Sequence, residues 1–386
     1  MSRIYLALIS LFLAFYSEAY ADSPECKVAE QALKEASSIR KLDIKQAVPC
    51  VIQNKKEVET YLLSIVNEQL PPEKLAYEEL IYKKIGLFPP GFDYKKGIVE
   101  LYLSQIGGYY DPQKDQFIMA GWVPGSMQEG IAVHELTHAL QDQHYDLKEF
   151  IDPKTQNGDM VLARSALVEG DASAVMYDYE RVKRKQRPLK AESNINDILL
   201  ANLAGSAVGS AQVPKSLQMI LIFPYTAGLN FVHSIIKSSG YEALAKVYER
   251  PPLTSEEIIH PDKYLSNKKD FVDIDEKELR GSIDEKFKLV YQDTIGEFGI
   301  TALLSMFPVS QSEIKVAAEG WGGDRIGLFV DEKARQKILI WITVWDSLAD
   351  IKQFEDIYLK SLMPHLKDTE HEITRAGQTL TLKLRI

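Results

Sequence analysis

The stretch His134-Glu135-Leu136-Thr137-His138 constrains this chain more than any other. On an α-helix, residues four apart share a face, so both imidazoles reach one ion while Glu135 lies beside the open coordination position. That is the HExxH arrangement of a hydrolytic zinc site. Neutral imidazole binds Zn²⁺ at about 2.0–2.1 Å, and the ion lowers the pKa of a bound water towards about 7. Glu135 is then placed to take the proton from that water and pass it to a leaving amine. Ile131, Ala132, Val133, Leu136, Ala139 and Leu140 make the helix largely apolar. Its histidines are therefore expected to be partly buried, where an unpartnered polar group is costly.

A third ligand has to come from elsewhere. A second helical segment is expected from about Met160 to Lys185, carrying Leu167-Val168-Glu169-Gly170-Asp171-Ala172. Leu162, Ala166, Ser173 and Met176 share a helical stripe with Glu169, which puts an acid on a face that should be buried. A buried carboxylate needs a cation or a metal, and Gly170 removes a side chain that would keep two helices apart. The expected site is thus His134, His138 and Glu169, with water in the fourth position. The rival is His144, ten residues after His134, which is the metzincin spacing. Those proteins have glycine where this chain has Gln141, and without a sharp turn the helix continues and points His144 away.

The beginning of the chain bears on its compartment. Arg3 precedes an apolar run from Ile4 to Phe15, and Ala19-Tyr20-Ala21 offers small residues for cleavage before Asp22. Residues 1–21 therefore read as a signal peptide, too short an apolar run to span a bilayer comfortably. The chain is expected to be exported, periplasmic or extracellular, with no stable membrane span after cleavage. The two cysteines, Cys26 and Cys50, suggest one disulfide tying the first helix to the second, with two reduced buried thiols as the alternative. Arg3 and Glu18 leave together, so the net charge of −10 persists and disfavours nucleic acid or an anionic membrane as partner.

Residues 22–97 are expected to form an N-terminal helical region of three amphipathic helices: a cap, a partner surface, a removable prosegment, or a subdomain packed on the rest. Ile98 to Gln105 alternates towards β, and Gly107 to Pro112 leads through a turn to Gln116–Ala120, which suggests a hairpin. A strand there could pair with an extended substrate. Residues 98–265 are expected to hold the metal site. Within them, Asn194 to Gln212 is rich in Ala, Gly and Ser, and Ser216 to Lys237 reads as a core helix interrupted by Pro224. Tyr225 and His260 are candidate donors to the oxyanion of hydrolysis; otherwise Tyr225 packs and His260 caps a turn before Pro261.

Residues 266–386 read as a small α+β module. Asp284 to Phe307 and Gln311 to Glu319 are expected as helices, then Ile326 to Val330 and Lys337 to Trp345 as strands. Asp346 to Leu362 reads as an amphipathic helix, and two further strands, Glu370 to Ala376 and Thr379 to Ile386, follow. Gly320 to Arg325 is expected to be a tight corner stapled by Asp324 and Arg325, or a substrate contact.

Val133 to Asp142 and Leu167 to Ala172 resemble the gluzincin-like metallopeptidases, in which a glutamate on a following helix completes the HExxH site. From roughly Leu87 to Leu362 the chain also looks like a group of exported bacterial HExxH proteins. The carrying residues include Gly108-Tyr109-Tyr110-Asp111-Pro112, Phe223 to Gly228, Pro251 to Pro261 and Gly320-Trp321-Gly322-Gly323-Asp324-Arg325. The resemblance implies a mainly helical, zincin-like α+β domain with a small edge sheet, and a zinc peptidase acting on peptides or proteins. The competing class is a non-catalytic, zinc-containing binding or envelope-assembly protein.

Overall fold

The computed structural model describes residues 24–69, 71–200, 213–281 and 283–386. The expected signal peptide and most of the Ala/Gly/Ser-rich stretch, at 201–212, lie outside these residues. The fold is α+β, with a mainly helical body, a three-stranded sheet and a five-stranded sheet.

The N-terminal region opens with α1 (Pro24–Arg40), β1 (Cys50–Gln53), α2 (Lys55–Gln69) and α3 (Pro72–Ile85). The three expected helices form, and the Cys26–Cys50 disulfide is present. It ties α1 to a strand, however, because Cys50 begins β1, which runs parallel to β3. The β-like reading of Ile98 to Gln105 is corrected to a helix, α4 (Tyr94–Gln105). Asp93 caps it by accepting from the Lys96 amide, and Ile98, Leu101 and Tyr102 recur at helical spacing on its buried side. The hairpin is made instead by β2 (Gly108–Asp111) and β3 (Gln116–Ala120), so residues assigned to a turn supply its first strand. The sheet order β1-β3-β2 leaves β2 at an edge.

Three long helices follow the hairpin or face it: α5 (Gly125–Tyr145), α7 (Gly158–Lys183) and α8 (Lys215–Ser239), with the short α6 (Leu147–Phe150) between the first two. Asn157 caps α7 through the Met160 amide. Among the described residues α8 alone is long and apolar enough to cross a membrane, yet most of its apolar window is buried within the fold. Gly170 does permit a close helix contact, but with α8 rather than with the HExxH helix α5. A Cβ on Gly170 would stand 2.2 Å from the Gly228 carbonyl carbon, and one on Gly228 would stand 2.0 Å from the Ala166 oxygen.

Among the described residues two large apolar cores result, each gathered from distant segments, beside a smaller one around Leu279, Phe287 and Phe329. One joins α1, β3, α5, α7 and α8; the other joins α2, α3, α4 and the start of α8 to the C-terminal sheet. The region expected over 22–97 thus contributes to both.

The larger sheet is antiparallel, in the order β4-β5-β6-β8-β7: β4 (Lys288–Asp293), β5 (Trp321–Asp331), β6 (Gln336–Trp345), β7 (Glu370–Ala376) and β8 (Thr379–Arg385). The helix expected from Asp284 is corrected: Lys288–Asp293 pairs with β5, and helix begins only at Gly296. The corner expected at Gly320 to Arg325 is corrected too, because Trp321 to Arg325 belong to β5. Successive strand residues face opposite sides, so Asp324 and Arg325 cannot staple one another. The buried Asp324 accepts from the Ile295 and Gly296 amides and the Trp321 and Trp341 indoles, while Arg325 reaches Asp273.

Candidate metal centre

Helix α5 presents His134 and His138 one turn apart, and α7 brings Glu169 across to them. His134 Nε2 lies 3.1 Å from Glu169 Oε2 and 3.2 Å from His138 Nε2, and His138 Nε2 lies 3.4 Å from the same carboxylate oxygen. These three side chains are a group able to hold a metal ion. The donor set fits a tetrahedral centre: bonds of about 2.0–2.1 Å at tetrahedral angles place ligand atoms roughly 3.3–3.4 Å apart.

The electrostatics follow from burial and proximity. Burial would lower the His138 imidazolium, but Glu169 outweighs it and its pKa is raised to about 9. Burial likewise opposes ionisation of Glu169, yet the two imidazoles hold its carboxyl well below the usual carboxylate range. Burial pushes the Glu135 carboxyl up, with the His134 and His138 charges acting the other way. The backbone amide of Tyr110, on the edge strand β2, donates to Glu135 Oε2 at 3.1 Å and aims that carboxylate at the edge of the sheet.

His144 stands apart from this group: its Nε2 contacts the Asp43 carbonyl at 2.8 Å, towards the N-terminal segment. As the continuing helix requires, it points away from His134 and His138. Tyr225 lines the cleft, its ring nearly parallel to that of His134 at 6.2 Å between centroids. The structure gives His260 an acidic partner. This histidine is absent from the described residues lining the cleft, and its Nε2 contacts both carboxylate oxygens of Glu297, at 3.0 and 3.1 Å. A buried acid on a neighbouring helix claims this imidazole, and although His260 immediately precedes the helix Pro261–Ser266, its side chain makes no capping bond to it.

Two neighbours were not foreseen. Gln141 Oε1 contacts His138 Nδ1 at 2.8 Å, and a signal for it existed, since residues three apart on a helix are neighbours. Tyr102 from α4 lines the cleft close enough to Glu169 for that charge, after burial, to raise its phenol. No spacing rule connects it to the HExxH segment.

The cleft holds about 500 Å³, within the range of ligand pockets. Its walls carry Trp122, Met127, Ile131, Met176, Leu221 and Ile222. Histidine and acidic side chains enter the lining only as His134, Glu135, His138 and Glu169, and no lysine or arginine does, among the described residues.

Fold and site together define an α+β protein with a buried His₂Glu cluster, able to hold a metal ion, at the floor of an apolar cleft. Residues 285–383, which contain the five-stranded sheet up to the last two residues of β8, match a domain of unknown function (DUF8575). The matched stretch contains none of the cluster residues. No curated protein and no solved structure matches the chain.

Proposed function

We propose that this protein is an exported, zinc-dependent, gluzincin-like metallopeptidase that hydrolyses peptide bonds in peptide or protein substrates. The observation that carries the reading is Glu135: its carboxylate is held by the Tyr110 amide beside a metal-capable His₂Glu group, and a purely structural metal site requires no base there. His134 and His138 Nε2 and Glu169 Oε2 would hold the ion. Zinc bound there supplies a Lewis acid for the scissile carbonyl and an acidified water.

The chain's own groups account for the rest. Glu135 accepts the proton of the attacking water at its carboxylate and returns it to the leaving amine, so one residue serves as base and then acid. Tyr225, whose ring lies beside that of His134, would be the donor to the developing oxyanion. The outer edge of β2 borders the cleft and offers backbone groups to an extended substrate, whose apolar side chains suit the walls. Export is supported by the disulfide, since such bonds persist in oxidising compartments.

Glu135→Gln tests the reading. The variant should bind zinc as the wild type does and lose cleavage of an unfolded-protein or peptide library. If the zinc-loaded wild type cleaves nothing across such a library, the peptidase reading fails and a non-catalytic binding or envelope-assembly role replaces it.

A further inference from the structure

Beneath the metal-capable group runs a buried polar chain that reaches the first helix. Gln141 Nε2 contacts the Val168 carbonyl at 3.0 Å and Asp171 Oδ2 at 3.1 Å. Asp171 in turn pairs with Arg40 Nε, 2.8 Å from Oδ2 and 2.7 Å from Oδ1, and accepts from the Tyr248 hydroxyl at 3.1 Å. Arg40 Nη1 also donates to the Tyr241 carbonyl at 3.3 Å. Arg40 is 1 % exposed, and Gln141 and Asp171 are fully buried, so bulk solvent does not compete for these bonds.

The chemistry of the partners forces every role. A peptide carbonyl and a carboxylate only accept, so the amide nitrogen of Gln141 must face Val168 and Asp171. Its oxygen then faces His138, which obliges Nδ1 to carry the hydrogen. In the neutral ring, the form that binds a metal, this leaves the Nε2 lone pair on the side of His134 and Glu169. Without an acceptor at Asp171 the amide nitrogen would keep the Val168 carbonyl as its one anchor and be held less firmly.

We infer that Arg40 and Asp171 are positioning residues of the metal centre, acting through Gln141 to set the tautomer and orientation of His138. The chain couples three helices. Arg40 closes α1, Gln141 lies on α5 and Asp171 on α7. Helix α1, which is packed along α5 and tied by the Cys26–Cys50 disulfide, is therefore part of the machinery. The inference rests on the metal-binding part of the reading above and is independent of whether peptides are cleaved.

Cobalt(II) titration of the metal-free full-length protein, followed by ligand-field absorption, tests it without any activity assay. Gln141→Leu should weaken cobalt binding by about 10–100-fold. The paired change Arg40→Met with Asp171→Leu replaces both charges by apolar groups and should weaken binding by at least about tenfold, with Arg40→Lys retaining most of the affinity. A merely structural pair would lower the melting temperature and leave the affinity of the folded protein unchanged. Wild-type cobalt affinity in the folded double variant overturns the inference. Should that variant not fold, Gln141→Leu decides, because it leaves the ion pair intact: wild-type affinity there overturns the inference equally. Failure of the peptidase reading would show as absent cleavage with these cobalt results unchanged.

Discussion

The crossing of α7 and α8 offers a sharp test of how the site is built, through Gly228→Ala. The added methyl would meet the Ala166 oxygen at 2.0 Å and its carbonyl carbon at 2.8 Å. Carbon atoms pack comfortably at about 3.5 Å, so the helices must separate by roughly 1.5 Å. The obstacle is backbone, which cannot swing aside as a side chain would, so the cost belongs at the upper end of overpacking, about 3 kcal/mol. Ala166 and Gly170 flank Glu169 on α7, and zinc ligand distances tolerate only about ±0.2 Å. A shift several times that size should carry the carboxylate out of reach of the imidazole nitrogens. The variant is expected to melt well below the wild type and to release zinc to a chromophoric chelator at least about tenfold more readily. Gly170→Ala, whose Cβ would meet Gly228 at 2.2 Å, should behave alike. If either variant melts within about 1 °C of wild type and keeps full zinc, the close crossing does not position Glu169 and the reasoning fails.

Three further outcomes are expected. Zinc content by mass spectrometry should collapse in Glu169→Ala and stay full in His144→Ala, since only Glu169 joins the two imidazoles; the reverse pattern would reassign the third ligand. His260→Ala should strand the buried Glu297, lowering stability in denaturant titrations by about 1–3 kcal/mol with zinc content unchanged; loss of zinc would restore His260 to the site. Burial pushes the Asp159 carboxyl well above its ordinary range, with Ser255 opposing. Because the folded state holds this proton more tightly than the unfolded chain, the contribution to stability is complete below about pH 4 and is lost as pH rises through the raised value. Asp159→Asn should therefore lose less stability on going from pH 4 to pH 8 than the wild type does, as read from urea midpoints.

The sequence was most legible where chemistry and helical period coincide. His134, Glu135 and His138 lie within a single turn or so of helix, and the apolar residues around them say which face is covered. Glu169 was accessible by the same logic, as an acid in an otherwise apolar stripe. Short segments misled where two periods compete: Ile98 to Gln105 alternates over a few residues yet is helical, and Lys288 to Asp293 is a strand because β5 offers it hydrogen bonds. The Trp321 to Arg325 segment carries glycines that look like a turn. Gly323 instead adopts φ +145° in a strand where a side chain would collide with Val272.

Local sequence determined the helix that carries the two histidines, the acid beside them and the acid that joins them, because those depend on spacing within a turn and on which face is apolar. Only the tertiary structure chose between contacts that no spacing encodes. It set Tyr110 of an edge strand against Glu135, gave His260 to Glu297 instead of to the cleft, and carried Arg40, 131 residues before Asp171, into the support of His138. Such choices depend on how whole helices pack, and packing is decided by the sum of many small contacts distributed over the chain.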